Sequence, residues 1–156
     1  MKKDFEPNLE NSIKVSLRFL KFKPRTKKET IQKLKSKGFG SEVINQTIRY
    51  LEEEGFLDDE QFTINWVYDR FNSKFLGKRK VFLELQKKGI EKEIIQEVIG
   101  NFCNSEDEIK RAVEYLEKRF ARKNKEEVVI QKALEMLVRS GYSFEISKKA
   151  VQIWLK

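Results

Sequence analysis

The chain has 156 residues, of which 39% are hydrophobic and 37% charged, with a formal net charge of +8. It contains no histidine and one cysteine, Cys103, which excludes Ser-His-Asp and Cys-His catalysis, histidine-based zinc sites and an internal disulfide. The basic balance favours a polyanionic partner such as nucleic acid, or an acidic protein surface.

The sequence also bears on compartment and cofactors. No run approaches the ~20 apolar residues that span a membrane. The first ten residues, MKKDFEPNLE, lack the apolar core of a signal peptide. A lone cysteine is typical of a reducing compartment. We therefore expect a cytoplasmic protein without a metal or cofactor, since no ligand cluster or glycine-rich phosphate loop is present.

In chain order, the apolar spacing predicts helices in sets of three. The first helix of each set is expected near residues 9–21, 58–75 and 105–123. Residues that can accept a backbone N–H bond mark several helix starts. They are the pairs Thr26/Glu29, Asp58/Gln61 and Ser105/Glu108, and the single serines Ser41 and Ser143.

The second helix of each set ends in the same short pattern. KLKSKGFG, ELQKKGIE and MLVRSGYS place glycines at positions 38, 89 and 141, at spacings of 51 and 52 residues. A leucine stands four residues before each glycine, and an apolar residue follows it directly. This pattern predicts a glycine in the left-handed C′ position of a Schellman-type helix end.

The repeat predicts the architecture. We expect an all-α protein of three tandem three-helix bundle repeats, residues 1–55, 56–103 and 104–156, which dock on one another in an elongated, curved array. Large apolar residues at helical spacing are expected in the core rather than on base-stacking surfaces. These are Phe62, Trp66, Phe71, Tyr115, Leu116, Phe120 and Trp154.

Basic and acidic residues form separate bands along the chain. Residues 21–37 carry eight basic side chains against one acid, a net of +7, and residues 41–61 carry seven acids against one arginine, a net of −6. The balance returns to +6 over 70–89 and +5 over 110–125. Such runs are often plain solvated surface. Because two positive bands lie on the helix that ends at the glycine, they also fit a track along a phosphate backbone, and the acidic band fits a basic protein partner.

Three stretches carry a family resemblance: PRTKKETIQKLKSKGF, YLEEEGFLDDEQF and GKRKVFLELQKKGIEKEII. Their most specific pieces are Arg25-Thr26, Lys37-Gly38-Phe39, Leu57-Asp58-Asp59 and Lys88-Gly89-Ile90. In this order and spacing, residues 13–99 resemble the RecX family, the regulators of the RecA recombinase. Thr30 departs from that family's usual leucine, and the third repeat matches only by pattern, because RSGY replaces KG plus an aliphatic residue.

The resemblance implies a function and partners. Members look like curved all-helical arrays that lie in the groove of a RecA filament on single-stranded DNA. There a non-enzymatic modulator would inhibit the filament and so regulate recombination, DNA repair and the SOS response. The implied partners are the RecA filament and the nucleic-acid phosphate backbone, and the chain is expected to act as a monomer.

On this hypothesis two sets of residues bind. The basic set contacts the filament or DNA phosphates: Arg25, Lys27, Lys28, Lys78, Arg79, Lys80, Arg122 and Lys123. The acidic set contacts RecA itself: Glu52, Glu53, Glu54, Asp59 and Glu60.

Two other functions stay open at this point. A helix-turn-helix DNA-binding protein also joins two helices through a glycine turn, although the helix after each turn is acidic or mixed here, a poor reader of the major groove. A helical adaptor could bind a protein partner without nucleic acid, with its charge serving solubility alone. An enzyme is the least favoured class, since no catalytic motif is present.

Overall fold

The computed structural model describes residues 7–125, 128 and 130–156, and within them each expected helix is present. All strands are absent from these residues, which confirms the all-α class. The helices are α1 (Pro7–Phe22), α2 (Lys27–Ser36), α3 (Ser41–Glu53), α4 (Asp59–Asn72), α5 (Lys78–Lys87), α6 (Lys92–Phe102), α7 (Ser105–Arg119), α8 (Ile130–Arg139) and α9 (Phe144–Leu155).

Two of the predicted N-caps are confirmed in full. Thr26 caps α2, and its side chain and that of Glu29 exchange hydrogen bonds with each other's backbone N–H groups, which is a capping box. Ser143 caps α9 by accepting from the backbone N–H of Ile146 at 3.2 Å. Asp58 also accepts from the N–H of Gln61, at 3.0 Å, just before α4.

Two other caps were predicted one residue too late. The N-cap of α3 is Gly40 rather than Ser41, and no side chain caps that helix. The N-cap of α7 is Asn104, which forms a capping box with Asp107 in place of the expected Ser105 and Glu108. At α7, Asn and Ser cap helices about equally well, so residue type alone does not choose between Asn104 and Ser105.

The first helices α4 and α7 end at Asn72 and Arg119, before the expected positions 75 and 123. After α4, Phe75 has a positive φ of 54°, which no α-helical residue adopts. Its carbonyl accepts a 2.7 Å hydrogen bond from the buried Tyr142 hydroxyl, and its ring stacks on Tyr115 at a centroid distance of 6.0 Å. These contacts hold the left-handed residue in place.

The three glycine stops are confirmed. Gly38, Gly89 and Gly141 have φ values of 85°, 81° and 102°. At Gly38, the N–H of Phe39 donates to the Leu34 carbonyl at 3.3 Å, and the N–H of Gly38 donates to the Lys35 carbonyl at 3.0 Å. This pair of bonds is the Schellman motif. The same pair is present at Gly141.

The chain divides into two compact units by its contacts. The first runs to Phe62 and includes Lys87–Glu91, and the second comprises Thr63–Gln86 and Lys92–Lys156. The three-repeat division stays a prediction about how the chain is organised. In the first unit α1, α2 and α3 contact one another in pairs, around a buried cluster. The cluster consists of Leu34, Ile44, Ile48, Leu51 and Leu57.

In the second unit the main cluster lies where α7, α8 and α9 pack together. Leu116, Phe120, Leu137 and Trp154 are buried in it, as the helical spacing predicted for the two aromatic residues and Leu116. Phe62 and Phe71 are buried as well. Trp66 and Tyr115 are half-buried, and Tyr115 packs against the cluster of α7, α8 and α9. The Trp66 indole N–H donates to the Glu84 carboxylate at 2.9 Å, and this polar contact keeps that edge of the ring near solvent.

Each later glycine turn docks on the start of an earlier helix. In the first unit, the Thr26 hydroxyl donates to the carbonyl of Lys88 at 2.7 Å, and Lys88 Nζ binds Glu29 Oε1 at 2.9 Å. In the second unit, the N–H of Gly77 donates to the carbonyl of Ser140 at 2.8 Å. Thr26 and Gly77 both stand twelve residues before a stop glycine, and Lys88 and Ser140 both stand one before. We call these two contacts the turn joints.

The turn joints add a steric demand for glycine. A Cβ placed on Gly89 would lie 2.2 Å from Lys28 Cδ and 2.5 Å from Lys28 Cβ. A Cβ on Gly141 would lie 2.7 Å from the backbone nitrogen of Lys80. At Gly38, in contrast, a Cβ would meet nothing within 4 Å. The later glycines therefore serve both the helix end and the close approach of a neighbouring helix.

Candidate nucleic-acid interface

The start of α5 concentrates positive charge. Lys78, Arg79 and Lys80 occupy its first turn, and no acidic residue lies there. Cations at a helix N-terminus oppose the helix dipole, each at a cost of about 0.3–1 kcal/mol when exposed. Helix stability therefore does not explain this choice of residues.

The partners of this cluster show which groups can bind. Lys78 Nζ lies 3.3 Å from Oε2 of Glu108, a carboxylate whose side chain is only 8% exposed. Arg79 and Lys80 are exposed, but the backbone N–H of Arg79 donates to the Gly141 carbonyl at 3.2 Å. Since the turn joint occupies backbone N–H groups at this helix start, an anion would be held by the side chains of Arg79 and Lys80.

The start of α2 is different, because acids neutralise it. Lys27 Nζ lies 3.2 Å from Glu52 Oε1, and the Lys27 backbone N–H donates to Asp59 Oδ1 at 2.9 Å. Burial raises the pKa of Asp59, although the Lys27 hydrogen bond opposes the shift. Two residues predicted to bind RecA, Glu52 and Asp59, thus contact a residue predicted to bind phosphate.

The other predicted residues of the first unit have separate positions. The Arg25 guanidinium lies over the Phe19 ring, with Cζ 4.2 Å from its centroid, and Lys28 is exposed beside Gly89. Glu53, Glu54 and Glu60 are exposed. The structure therefore leaves this second group of acids on the surface, where a partner can reach it.

A third basic cluster lies between the end of α7 and α8. The groove there has a volume of about 340 Å³ and includes one acid, Glu135. Four cations line it: Arg119, Lys123, Lys132 and Arg139. Lys123 was predicted and is in the groove, whereas the predicted Arg122 is exposed but is not a lining residue.

Sequence reasoning missed Arg119, Lys132 and Arg139. For Lys132 and Arg139 the spacing carried a signal, because an interval of seven residues places both side chains on one side of α8. Arg119 is the last residue of α7 and Lys123 lies beyond that helix, so their interval of four residues gave no such signal. We call these four residues the α7–α8 basic groove.

A metal site, a membrane span and a reactive thiol each set requirements that the described residues can be compared with. They contain no group of three or more His, Cys, Asp or Glu side chains placed to hold a metal ion, and no helix long and apolar enough to cross a membrane. Burial raises the pKa of the Cys103 thiol, although a hydrogen bond from Arg111 opposes this. A raised pKa keeps the sulfur as the less nucleophilic thiol.

Two family models match this chain, and both lie within the residues whose motifs resemble the RecX family. The model for the first three-helix domain of RecX matches residues 14–51, and the model for its second three-helix domain matches residues 58–99.

Curated relatives extend the match along the chain. The regulatory protein RecX of Finegoldia magna is 30% identical over 138 residues, which cover 86% of this chain and 67% of that protein. The regulatory protein RecX of Bacillus licheniformis is 31% identical over 147 residues, covering 93% of this chain but 56% of that protein. This chain thus spans about three fifths of the length of these relatives.

Solved structures give the same result for the fold. The crystal structure of RecX from Lactobacillus salivarius superposes with a TM-score of 0.80 at 22% identity, covering 94% of this chain and 96% of that one. A second crystal structure of a regulatory protein RecX superposes with a TM-score of 0.77. With two family models and relatives of about 30% identity along most of its length, the chain belongs to the RecX family.

Proposed function

We propose that this protein is a non-enzymatic modulator of the RecA recombinase, which binds in the groove of the RecA filament on single-stranded DNA and inhibits it. The regulatory role is supported by the name that the relatives share, regulatory protein RecX. The single observation that carries the contact with nucleic acid is the exposed positive charge of the second unit, at the start of α5 and in the α7–α8 basic groove.

The positions of these two clusters on α7 support their joint use. Lys78 reaches α7 at Glu108, and the groove begins on α7 at Arg119. Eleven residues separate Glu108 and Arg119, which is three helical turns and about 16 Å of rise. The cation that contacts buried Glu108 and the exposed Arg119 therefore lie about 16 Å apart along α7, a distance that several consecutive phosphates of one strand would span.

The number of acids that contact each basic cluster indicates which of the predicted phosphate contacts are stronger. At α2, Glu29, Glu52 and Asp59 all bind cations or the backbone of that helix start. At α5, Glu108 is the acid that binds the cluster. We therefore assign the stronger phosphate contacts to Arg79, Lys80 and the α7–α8 basic groove, and weaker ones to Arg25, Lys27 and Lys28.

The turn joints suggest how binding would inhibit. In the first unit a partly buried hydrogen bond fixes the turn against α2, and in the second unit a backbone hydrogen bond and close backbone approaches fix it against α5, so each unit would behave as a stiff body. A stiff body that bridges successive RecA subunits opposes the subunit motions required for filament growth and ATP turnover. The exposed acids Glu53, Glu54 and Glu60 supply a surface for basic residues of RecA.

A titration of this protein into RecA assembled on single-stranded DNA tests the proposal. We expect the DNA-dependent ATPase rate to fall as the protein approaches equimolar amounts with RecA protomers. No change in rate at several-fold excess contradicts regulation of RecA by this protein. If the rate falls equally for a variant with Arg79→Glu and Lys80→Glu, the regulation stands but the phosphate contacts at α5 are wrong, and a protein-only adaptor is favoured.

A further inference from the structure

A second groove, formed within the second unit by α5 and α6, is apolar. Its volume is about 460 Å³. Phe82, Leu83 and Ile99 supply the apolar part of its lining, and Leu83 is 56% exposed. Lys78, Arg79, Gln96 and Gly100 complete the lining, which contains two cations and no carboxylate within the part of the chain that the structure describes. We call this the α5–α6 apolar groove.

The other repeats carry polar residues at the two positions that open this groove. Leu83 stands six residues before its stop glycine, where the first and third repeats have Gln32 and Glu135. Gly100 stands eleven residues after it, where those repeats have Arg49 and Gln152. Because α2–α3 and α8–α9 keep polar side chains at the equivalent places, the repeat fold does not demand an exposed leucine and a glycine here.

Gly100 has no structural role that explains it. It lies within α6, outside the set of glycines with positive φ, so it is not a left-handed helix cap. A Cβ at this position would meet nothing within 4 Å, so no neighbour requires its small size. Glycine inside a helix is destabilising relative to alanine. Its effect is to leave this part of the groove lining without a side chain, which makes room for an occupant.

We propose that the α5–α6 apolar groove binds a segment of a partner protein that presents apolar side chains flanked by carboxylates. The apolar lining accepts one or two leucine-sized or phenylalanine-sized side chains. The exposed Arg79 at the rim favours an acidic segment over a basic one, while Lys78 beside it is paired with Glu108. A groove between two helices commonly binds an amphipathic helix whose apolar side chains are spaced three and four residues apart.

A synthetic acidic amphipathic peptide, with leucines at helical spacing and glutamates between them, tests this without RecA or DNA. We expect the amide resonances of Phe82, Leu83, Gln96, Ile99 and Gly100 to shift on titration in ¹⁵N-correlated NMR spectra. A peptide with serine in place of leucine should not bind, and a peptide with lysine in place of glutamate should bind at least tenfold more weakly. Absence of shifts at the groove up to ~1 mM peptide overturns the proposal.

Matched variants locate the binding. Leu83→Gln combined with Gly100→Gln takes residue types found at positions 32 and 152, adds no charge and has room at position 100, so the fold is retained. This variant should lower the affinity at least tenfold, whereas Val138→Gln, at an exposed apolar residue elsewhere in the second unit, should leave it unchanged. Equal affinities of the two variants contradict the assignment.

Two further outcomes also overturn it. If the lysine peptide binds as tightly as the glutamate peptide, the occupant is not acidic. If sedimentation equilibrium shows that the chain self-associates and that the variant at positions 83 and 100 does not, the occupant is a second copy of this protein. Neither result bears on the ATPase titration, because the peptide contains no part of the RecA filament.

Discussion

Replacing Gly141 with alanine should destabilise the protein well beyond the cost of a left-handed residue. That cost alone is isolated by Gly38→Ala, since Gly38 has a φ of 85° and its new Cβ would meet nothing within 4 Å. A side chain in the left-handed region costs about 1–2 kcal/mol. Removal of a glycine from the unfolded chain offsets part of this, by about 0.4–1 kcal/mol. We therefore expect a net loss of about 1 kcal/mol for Gly38→Ala.

At Gly141 a steric cost is added to the cost of the left-handed conformation. The new Cβ would lie 2.7 Å from the Lys80 nitrogen and 2.9 Å from the Gly77 carbonyl oxygen, so backbone atoms rather than flexible side-chain ends must move. Overpacking of this kind costs about 1–3 kcal/mol. The expected total is about 2–4 kcal/mol.

Gly77→Ala separates the two terms, since φ at Gly77 is not positive but its Cβ would lie 2.3 Å from the Gly141 carbonyl carbon. Urea denaturation followed by circular dichroism measures all three variants. We expect both Gly77→Ala and Gly141→Ala to be less stable than Gly38→Ala. Equal losses at Gly38 and Gly141 would refute the turn joint as a steric requirement.

Three further predictions concern the first turn joint and the buried thiol. Thr26→Val should lower the free energy of unfolding by about 2–3 kcal/mol, because the helix cap is lost and the Lys88 carbonyl loses its donor. Thr26→Ser keeps the hydroxyl and should cost under about 1 kcal/mol. Urea denaturation measures both variants. Glu29 is partly buried, but hydrogen bonds from Lys88 and the Thr26 backbone hold its pKa below 4.5. The ionised carboxylate therefore stabilises the fold at neutral pH, and this contribution is lost as pH falls through the lowered pKa. Thermal melts should show that Glu29→Gln is less stable than the parent at pH 7, and the difference in stability should close toward pH 3. Cys103 should react with a disulfide reagent at pH 8 more slowly in the native protein than in urea, since burial raises its pKa, and equal rates would contradict that burial.

Local patterns predicted much of the fold. The stop glycines, the Thr26 capping box and the buried leucines before each glycine all depend on residues a few positions apart, and helical geometry fixes their relation. The errors at Ser41 and Ser105 are also local. In each case the preceding residue takes the N-cap: propensity does not separate Asn104 from Ser105, and at α3 it favours Ser41 over the Gly40 that is found.

The candidate site was less predictable because tertiary contacts determine it. No spacing rule places Glu52 and Asp59 beside Lys27, and those pairs neutralise one of the predicted basic clusters. The α7–α8 basic groove combines residues from two helices that meet only in the folded chain. The charge bands in the sequence therefore predicted a binding role for cations, while the fold determines which of them remain exposed.

The most direct test of the account measures binding to RecA filaments on fluorescently labelled single-stranded DNA over a series of salt concentrations. The test variant carries Arg79→Glu and Lys80→Glu, and its control carries Lys35→Glu and Lys37→Glu, the same change of charge at exposed lysines outside the proposed contacts. The account predicts at least tenfold weaker binding for the test variant alone, with the dependence of log affinity on log salt reduced by about 1.4, or ~0.7 for each phosphate that is no longer bound. Equal affinities and equal salt dependences for the two variants would contradict a phosphate-binding role for the start of α5.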